Sequence, residues 1–359
     1  MKTKESEVEK IPIEILYWII KYLTIHDFLS FTQSSKSFNS LCFTTQHLKQ
    51  LYESKVLYKK PNLFKQFLLN SKHLNYLEIL NFAIHYNYYD IVELLLDVTN
   101  VDPSMDDSQL FIDAIQLNHT KIINILLNDK RINPTAQNHR ALFIATTLGM
   151  KDIINILLKD ERVDPTVLDS HVLTIAAWNG HQDIVNMLLE DGRVDPIARN
   201  SNALKCAAGN GHQEIVQMLL NRVNHFDGGN NAFITAVQYG QKDMVRMLLD
   251  DTRIDPTFQN NEALIRAVRL SDRDMVSILL ADKRIDPSSR SNEAVRIAQE
   301  QIIGNREIFQ MLLEDPRVTL IDNTRIDSEF IDINSLENEF ISIPSFLEQS
   351  DYYLDFLNQ

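Results

Sequence analysis

Residues 179–189 read NGHQDIVNMLL and residues 210–220 read NGHQEIVQMLL, nearly the same phrase displaced by 31 residues. The displacement is general. Alanines stand at 83, 114, 145, 176, 207, 236, 267 and 298, and each of the first seven is followed by an apolar pair eight and nine residues on and by Leu-Leu at twelve and thirteen. The eighth repeats the pattern two residues late, after QEQIIGN, and closes on Leu312 and Leu313. A fixed period of this size is the signature of stacked supersecondary units.

Apolar residues at i, i+1, i+4 and i+5, as in Ile184, Val185, Leu188 and Leu189, cover a wide stripe of one helix, which must be buried on most of its circumference. A shorter helix containing the repeated alanine precedes it, and the missing bulk lets two helices approach closely. Four residues after that alanine stands Asn87, Asn118, Gly149, Gly180, Gly211, Gly240 or Ser271. Gly and Asn best tolerate the left-handed backbone that ends many helices and that costs other residues roughly 1–2 kcal/mol. Each unit is therefore predicted as helix, tight turn, helix.

A second phrase joins the units: VDP at 101, INP at 132, VDP at 163, VDP at 194, IDP at 254 and IDP at 285. Proline blocks continuation of a helix, and Asp or Asn before it favours a turn. Neighbouring units then stack their apolar faces into one continuous core. The junction NRVNHFDGGNNAF at 221–233 is two residues shorter and lacks the Asp-Pro, which predicts a kink or a loosening there.

The helix pair, the Gly-His turns at 180–181 and 211–212, the I-V-x-x-L-L second helix and the projecting loop resemble the ankyrin repeat. The resemblance covers residues 77–320 as eight units of about 31 residues, against a usual unit of 33. The family's T-P-L-H opening is replaced by forms such as NAL at 202 and EAL at 262. The resemblance implies an all-α helical solenoid whose work is to bind another protein.

The 359 residues carry a formal net charge of −14 and 44% hydrophobic residues, values of an ordinary soluble chain. Residues 1–76 are net +5 and residues 314–359 net −9. An acidic solenoid is a poor nucleic-acid ligand, because phosphate binding needs clustered Lys and Arg. The most apolar stretch, IPIEILYWII at 11–20, is interrupted by Glu14 and followed by Lys21, short of a membrane span, and with charged and polar residues ahead of it a cleavable signal peptide is not expected. Two cysteines, Cys42 and Cys206, offer no disulfide framework, so a reducing compartment, cytoplasm or nucleus, is expected.

Residues 10–52 do not follow the 31-residue template. Ile15, Leu16, Ile19, Ile20 and Leu23 fall at helical spacing, Asp27 can cap a second helix carrying Phe28, Leu29 and Phe31, and Phe38, Leu41 and Cys42 begin a third. Three helices in 43 residues have little interior of their own and need a partner or a neighbouring domain. This unit resembles an F-box: Ile11-Pro12-x-Glu14-Ile15 for the opening L-P-x-E-I, Tyr22-Leu23, Asp27-Phe28-Leu29 and the closing Leu51-Tyr52. Ile replaces Leu at the first position, and a Trp usual in the family is absent. The resemblance implies docking on a Skp-type adaptor, and through it on a cullin, with Ile11, Pro12, Ile15, Leu16, Leu23 and Leu29 buried in the contact. The alternative reading of the three helices is a cap on the open end of the solenoid. Residues 53–76 form a connector without Gly- or Ser-rich character, and residues 321–359 an acidic tail or cap.

Arrays of this kind bind through loop tips and the exposed side of the first helix. Counting from the repeated alanine, those positions hold Tyr86, Leu148, Trp178 and Tyr239 before the turns, and Val167, Arg199 and Phe258 at the loops. Tyr, Trp and Arg are the residue types most enriched in interface hot spots. Trp178 leads, although such aromatics also pack between units as core. No catalytic group is indicated. His119, His181 and His212 recur just after the turn and are expected to bond neighbouring backbone. They lie a repeat or more apart, without a Cys or carboxylate set of metal-ligand spacing. No metal or cofactor is called for, and the expected partner is an unidentified protein substrate.

Overall fold

The computed structural model describes Lys65, residues 75–222 and residues 226–318. The F-box-like residues 10–52, including Ile11, Pro12, Ile15, Leu16, Leu23 and Leu29, the connector up to residue 74 apart from Lys65, and the acidic tail lie outside the described residues.

Sixteen helices follow one another among the described residues, in eight pairs. The first helices are α1 (Tyr76–His85), α3 (Met105–Gln116), α5 (Ala136–Thr147), α7 (Val167–Trp178), α9 (Ala198–Gly209), α11 (Phe226–Gln238), α13 (Phe258–Arg269) and α15 (Ser289–Glu300). Their partners are α2 (Tyr89–Val98), α4 (Thr120–Asn128), α6 (Lys151–Leu158), α8 (Gln182–Asp191), α10 (Gln213–Leu220), α12 (Lys242–Asp250), α14 (Arg273–Ala281) and α16 (Ile302–Glu314). First helices pack on the next first helices, and second helices on the next second helices. The result is an all-α helical solenoid.

The core follows the repeated phrase. In unit four, Ile184, Val185 and Leu188 are buried with Ala176 and Ala177 of α7, and the corresponding side chains of every unit join one cluster. Burying each such leucine contributes roughly 1.5–3 kcal/mol, more than the helix pair could gain standing alone.

The turns behave as their residues require. Asn87, Asn118, Gly149, Gly180, Gly211, Gly240 and Ser271 all have positive φ. At Gly180 a second constraint is added, because a Cβ there would lie 2.6 Å from the His212 ring. The ring sits close because its Nε2–H donates to the Trp178 carbonyl, at 3.1 Å. His181 donates likewise to Thr147 O and His119 to Ile84 O, at 3.0 and 2.8 Å, so each recurrent histidine bonds the preceding unit's backbone.

Two devices join the units. In one, Arg162 grips the Asp160 carboxylate through Nε and Nη2 while Nη1 and Nη2 donate to the Ile132 and Leu127 carbonyls of the preceding unit, at 2.8 and 3.0 Å. Arg131, Arg193, Arg253, Arg284 and Arg317 repeat the grip on Asp129, Asp191, Asp251, Asp282 and Asp315. In the other, each loop passes through three consecutive left-handed residues, at 106–108, 137–139, 168–170, 199–201, 259–261 and 290–292. The third side chain is the anchor: Ser108 and Ser170 hydroxyls and the Asn261 amide oxygen accept backbone N–H bonds from Asn133, Asp195 and Asp286 of the next loop.

The kink or loosening expected at the short junction falls on a stretch that is described only in part. Residues 223–225 lie outside the described residues, but on their C-terminal side the backbone comes close. A Cβ on Gly228 would stand 2.7 Å from Ser201 Cβ, and one on Gly229 would stand 2.6 Å from Ile254 Cδ1. Glycine, in place of the Asp-Pro loop, lets the chain pass, and Asn230 restores the anchor by accepting from Asp255 N–H at 2.8 Å.

Candidate protein-binding surface

The first helices end on a polar C-cap position three residues after the repeated alanine, and a polar residue would be the neutral choice there. Five units instead place Tyr86, Leu117, Leu148, Tyr239 and Leu270 at it, all exposed. Leu148 is 57% and Tyr239 55% exposed. In unit four the cap is Asn179, whose amide donates to Ile175 O at 2.9 Å, and the large apolar side chain moves back one residue to Trp178, 42% exposed. The edge of the array formed by the helix-turn-helix corners thus carries an exposed apolar or aromatic residue in units one, two, three, four, six and seven. Unit five breaks the row: it has Gly209 and Asn210, and a Cβ on Gly209 would stand 3.2 Å from the Tyr239 ring, which leans across it.

Four of the seven predicted residues, Tyr86, Leu148, Trp178 and Tyr239, therefore lie on one edge. Tyr86 also meets the Phe82 ring at 4.5 Å and the Tyr88 ring at 6.0 Å, and an open cleft beside it is lined by Glu78, Asn81, Phe82 and His85. The loop residues divide differently. Arg199 is exposed and lies 3.6 Å from the Asp169 carboxylate of the preceding loop. Val167 and Phe258 are not free tips: both are half-buried against the core, because they enter the loop one residue before the left-handed turn and face inward. The exposed tip of unit four is the next residue, Leu168, at 51% exposure and φ +51°. Ile197, at the start of the unit-five loop, is exposed as well and is absent from the positions counted by offset.

Toward the C-terminal end the same helix faces become charged. Arg266 and Arg290 converge on Glu262, at 3.0 and 3.1 Å, and Arg269 reaches Glu293 at 3.1 Å. These groups satisfy one another beside the exposed Tyr239 and Leu270.

The titratable groups report structure rather than chemistry. The guanidinium of Arg162 holds the Asp160 carboxyl below the usual carboxylate range, and the same pairing lowers Asp129, Asp191, Asp251, Asp282 and Asp315. Burial pushes the Cys206 thiol up to about 11, which leaves it protonated and a poor nucleophile. Burial also lowers His139 and His171. Among the described residues, no group of three His, Cys, Asp or Glu is placed to hold a metal ion, and no helix is long and apolar enough to cross a membrane.

Residues 173–260 match the family model for ankyrin repeats, in three copies. Ankyrin repeats are present over that span, which runs from α7 to the start of α13 and contains Trp178, Arg199, Tyr239 and Phe258. The same 31-residue geometry recurs in the units on either side. No curated protein matches the sequence. Ankyrin repeats bind proteins, and a row of exposed apolar side chains at the helix corners gives this array a surface for that.

Proposed function

We propose that the chain is the substrate-recognition subunit of a cullin-RING ubiquitin ligase of the Skp–cullin–F-box type, with no catalytic group of its own. The ankyrin array holds a protein substrate, and residues 10–52 dock on a Skp-type adaptor through Ile11, Pro12, Ile15, Leu16, Leu23 and Leu29. The row from Tyr86 to Leu270 carries the substrate half of this reading. Exposed aromatic and leucine side chains at repeated positions leave much of their apolar surface in water, and they are the anchors that protein interfaces use. The adaptor half is supported by the sequence resemblance of residues 11–52 and by the helical spacing of the apolar residues in that sequence, more than a unit of that size can bury by itself. Cytoplasm or nucleus, where such ligases work, suits a chain with two cysteines and no disulfide framework.

The test is a pull-down of the purified full chain with a Skp-type adaptor and a cullin, beside a variant carrying Pro12→Ala, Ile15→Asp and Leu16→Asp. Wild type captures both and the variant neither. A folded wild type that captures neither makes the protein a scaffold whose N-terminal helices cap the array. Capture of the adaptor without cullin points instead to a protein that sequesters the adaptor.

A further inference from the structure

The first helices are not alike in charge. Those of units one to four, α1, α3, α5 and α7, hold one arginine, Arg140, against five acids, Glu78, Asp106, Asp107, Asp113 and Asp169. Those of units five to eight, α9, α11, α13 and α15, hold six basic residues against four acids. In a chain of net charge −14, the C-terminal half of this helix layer is therefore basic.

Its arginines stand beside exposed apolar corners. Arg266 donates to the side chain of Gln238, the residue before Tyr239, and pairs with Glu262 at 3.0 Å. Arg269, the residue before Leu270, reaches Glu293 at 3.1 Å, while Arg290 spans Glu262 and Glu293 at 3.1 and 3.3 Å. Three guanidiniums thus share two carboxylates, which leaves one positive charge, and each guanidinium has more N–H donors than these bonds use. Tyr239 and Leu270 themselves are exposed. Such a surface fits a carboxylate adjoining an aromatic or aliphatic side chain: a guanidinium takes the carboxylate as a charge-assisted pair, and a corner takes the apolar group.

The same chain supplies that chemistry. Residues 319–359, outside the described residues, carry nine Asp/Glu and one arginine. Within them SEFIDIN at 328–334 and NEFISIP at 338–344 repeat one phrase ten residues apart, Glu-Phe-Ile and then Ile two residues later. Residues 327–344 contain five acids and no Lys or Arg. Phe330 stands 12 residues beyond Val318, the last described residue, a reach of up to about 40 Å, whereas packed neighbouring helices lie about 8–10 Å apart. Units six to eight are therefore within the tether. A tethered segment meets its site at an effective concentration on the order of millimolar, so a contact too weak to form between separate molecules is held within one.

We propose that residues 327–344 dock on the first helices of units six to eight of their own chain, Glu329 and Glu339 on the arginines and Phe330 and Phe340 on the corners at Tyr239 and Leu270. This contact goes beyond the proposed function and does not depend on residues 10–52. It covers the C-terminal part of the row and leaves Tyr86, Leu148 and Trp178 open, so a protein partner that needs the whole row has to displace the segment.

The experiment places p-benzoylphenylalanine at position 239 of the full-length protein, or at position 86 as the control, and maps the cross-links formed on irradiation by mass spectrometry. Position 239 cross-links to residues 327–344 of the same chain, and position 86, among the acidic helices, does not. Glu329→Lys with Glu339→Lys, which leaves the array untouched, lowers the yield about fivefold or more, the loss expected of two charge pairs at an exposed site. Cross-links from position 239 that reach only array residues overturn the inference and leave the row open to a foreign protein. Equal cross-linking from both positions, a yield unchanged by the lysines, or cross-links that join two chains overturn it as well, because each assigns the contact to something other than charge pairing of this segment within one chain.

Discussion

The junction between units three and four and the junction between units five and six solve one problem in opposite ways. The first spends a full loop on it: Arg162 bridges the Asp160 carboxylate to two carbonyls of the preceding unit, and Pro165 follows an Asp that caps its own turn by accepting from Thr166 N–H at 2.8 Å. The second is two residues shorter and lacks its own Asp-x-Arg and the proline; two glycines let backbone lie directly against Ser201 and Ile254, and Arg253 of the following loop donates to the Leu220 carbonyl across it at 3.1 Å. Both junctions are spanned by an arginine-to-carbonyl bond, but the first leaves a loop that can absorb small shifts, whereas the second adds close-packed backbone that cannot. The array should therefore fail differently when each is disturbed.

The largest effect is expected at the glycine junction. In Gly229→Val the added side chain must occupy the space of Ile254 Cδ1 and displace Leu220, an overpacking that costs about 1–3 kcal/mol where the neighbours can yield. Because a solenoid is held together only by contacts between neighbours, the loss divides the array. Calorimetry should show the single transition of wild type split in two, one for the units before the junction and one for those after it. A single transition, merely shifted, would show that this junction is no weaker a link than the rest.

Arg162→Ala is next. It removes two carbonyl bonds and a charge-assisted pair at a site where the aspartate is mostly covered but the arginine is 40% exposed. Such bonds are worth about 1.5–3 kcal/mol when buried and less at this exposure. A lower urea midpoint with one retained transition is expected, since the left-handed loop and its Ser170 anchor still join the next unit.

The same contrast has a pH signature. Six aspartates are held below the ordinary carboxylate range by their arginines. A depressed folded-state pKa means that the unfolded chain binds protons first, so the stabilisation is complete above the unfolded value of about 3.9 and is lost as pH falls through the lower folded values. Thermal melts should be nearly flat from pH 7 to 5 and fall steeply below about pH 4. Replacing Asp160 and Asp191 together by Asn should lower stability at pH 7 and flatten the acid limb. An unchanged limb would assign acid unfolding to other carboxylates.

How much of this was legible in the sequence depends on whether a residue acts within its own unit or between units. The helix pairs, the left-handed turn residues and the buried Ile-Val-x-x-Leu-Leu face all follow from local periodicity, and the exposed corner residues followed by counting from the alanine. The D-x-R phrase ahead of five of the six proline loops, at 129–131, 160–162, 191–193, 251–253 and 282–284, is equally regular, yet the partners of Arg162 are carbonyls 30 and 35 residues away, and nothing local reveals a side chain's reach across a junction. Val167 and Phe258 were misplaced for a similar reason: offset locates a loop, but only the three-residue left-handed turn decides which of its side chains faces out.

The smallest effect tests whether the turn histidines matter as histidines. In unit six the equivalent position is Gln241, whose amide donates to Gly209 O at 2.9 Å, the bond that His181 makes to Thr147 O at 3.0 Å. The array thus already contains the substitution. A glutamine amide and an imidazole N–H each supply one donor to the same carbonyl, so His181→Gln should change the unfolding free energy measured in urea by less than about 0.5 kcal/mol. His181→Leu, which leaves that carbonyl without its donor, should cost about 1 kcal/mol or more. If glutamine proves as damaging as leucine, the ring itself is what matters: packed over Gly149, where a Cβ would stand 2.8 Å from it, the imidazole would be filling space that a flexible amide cannot.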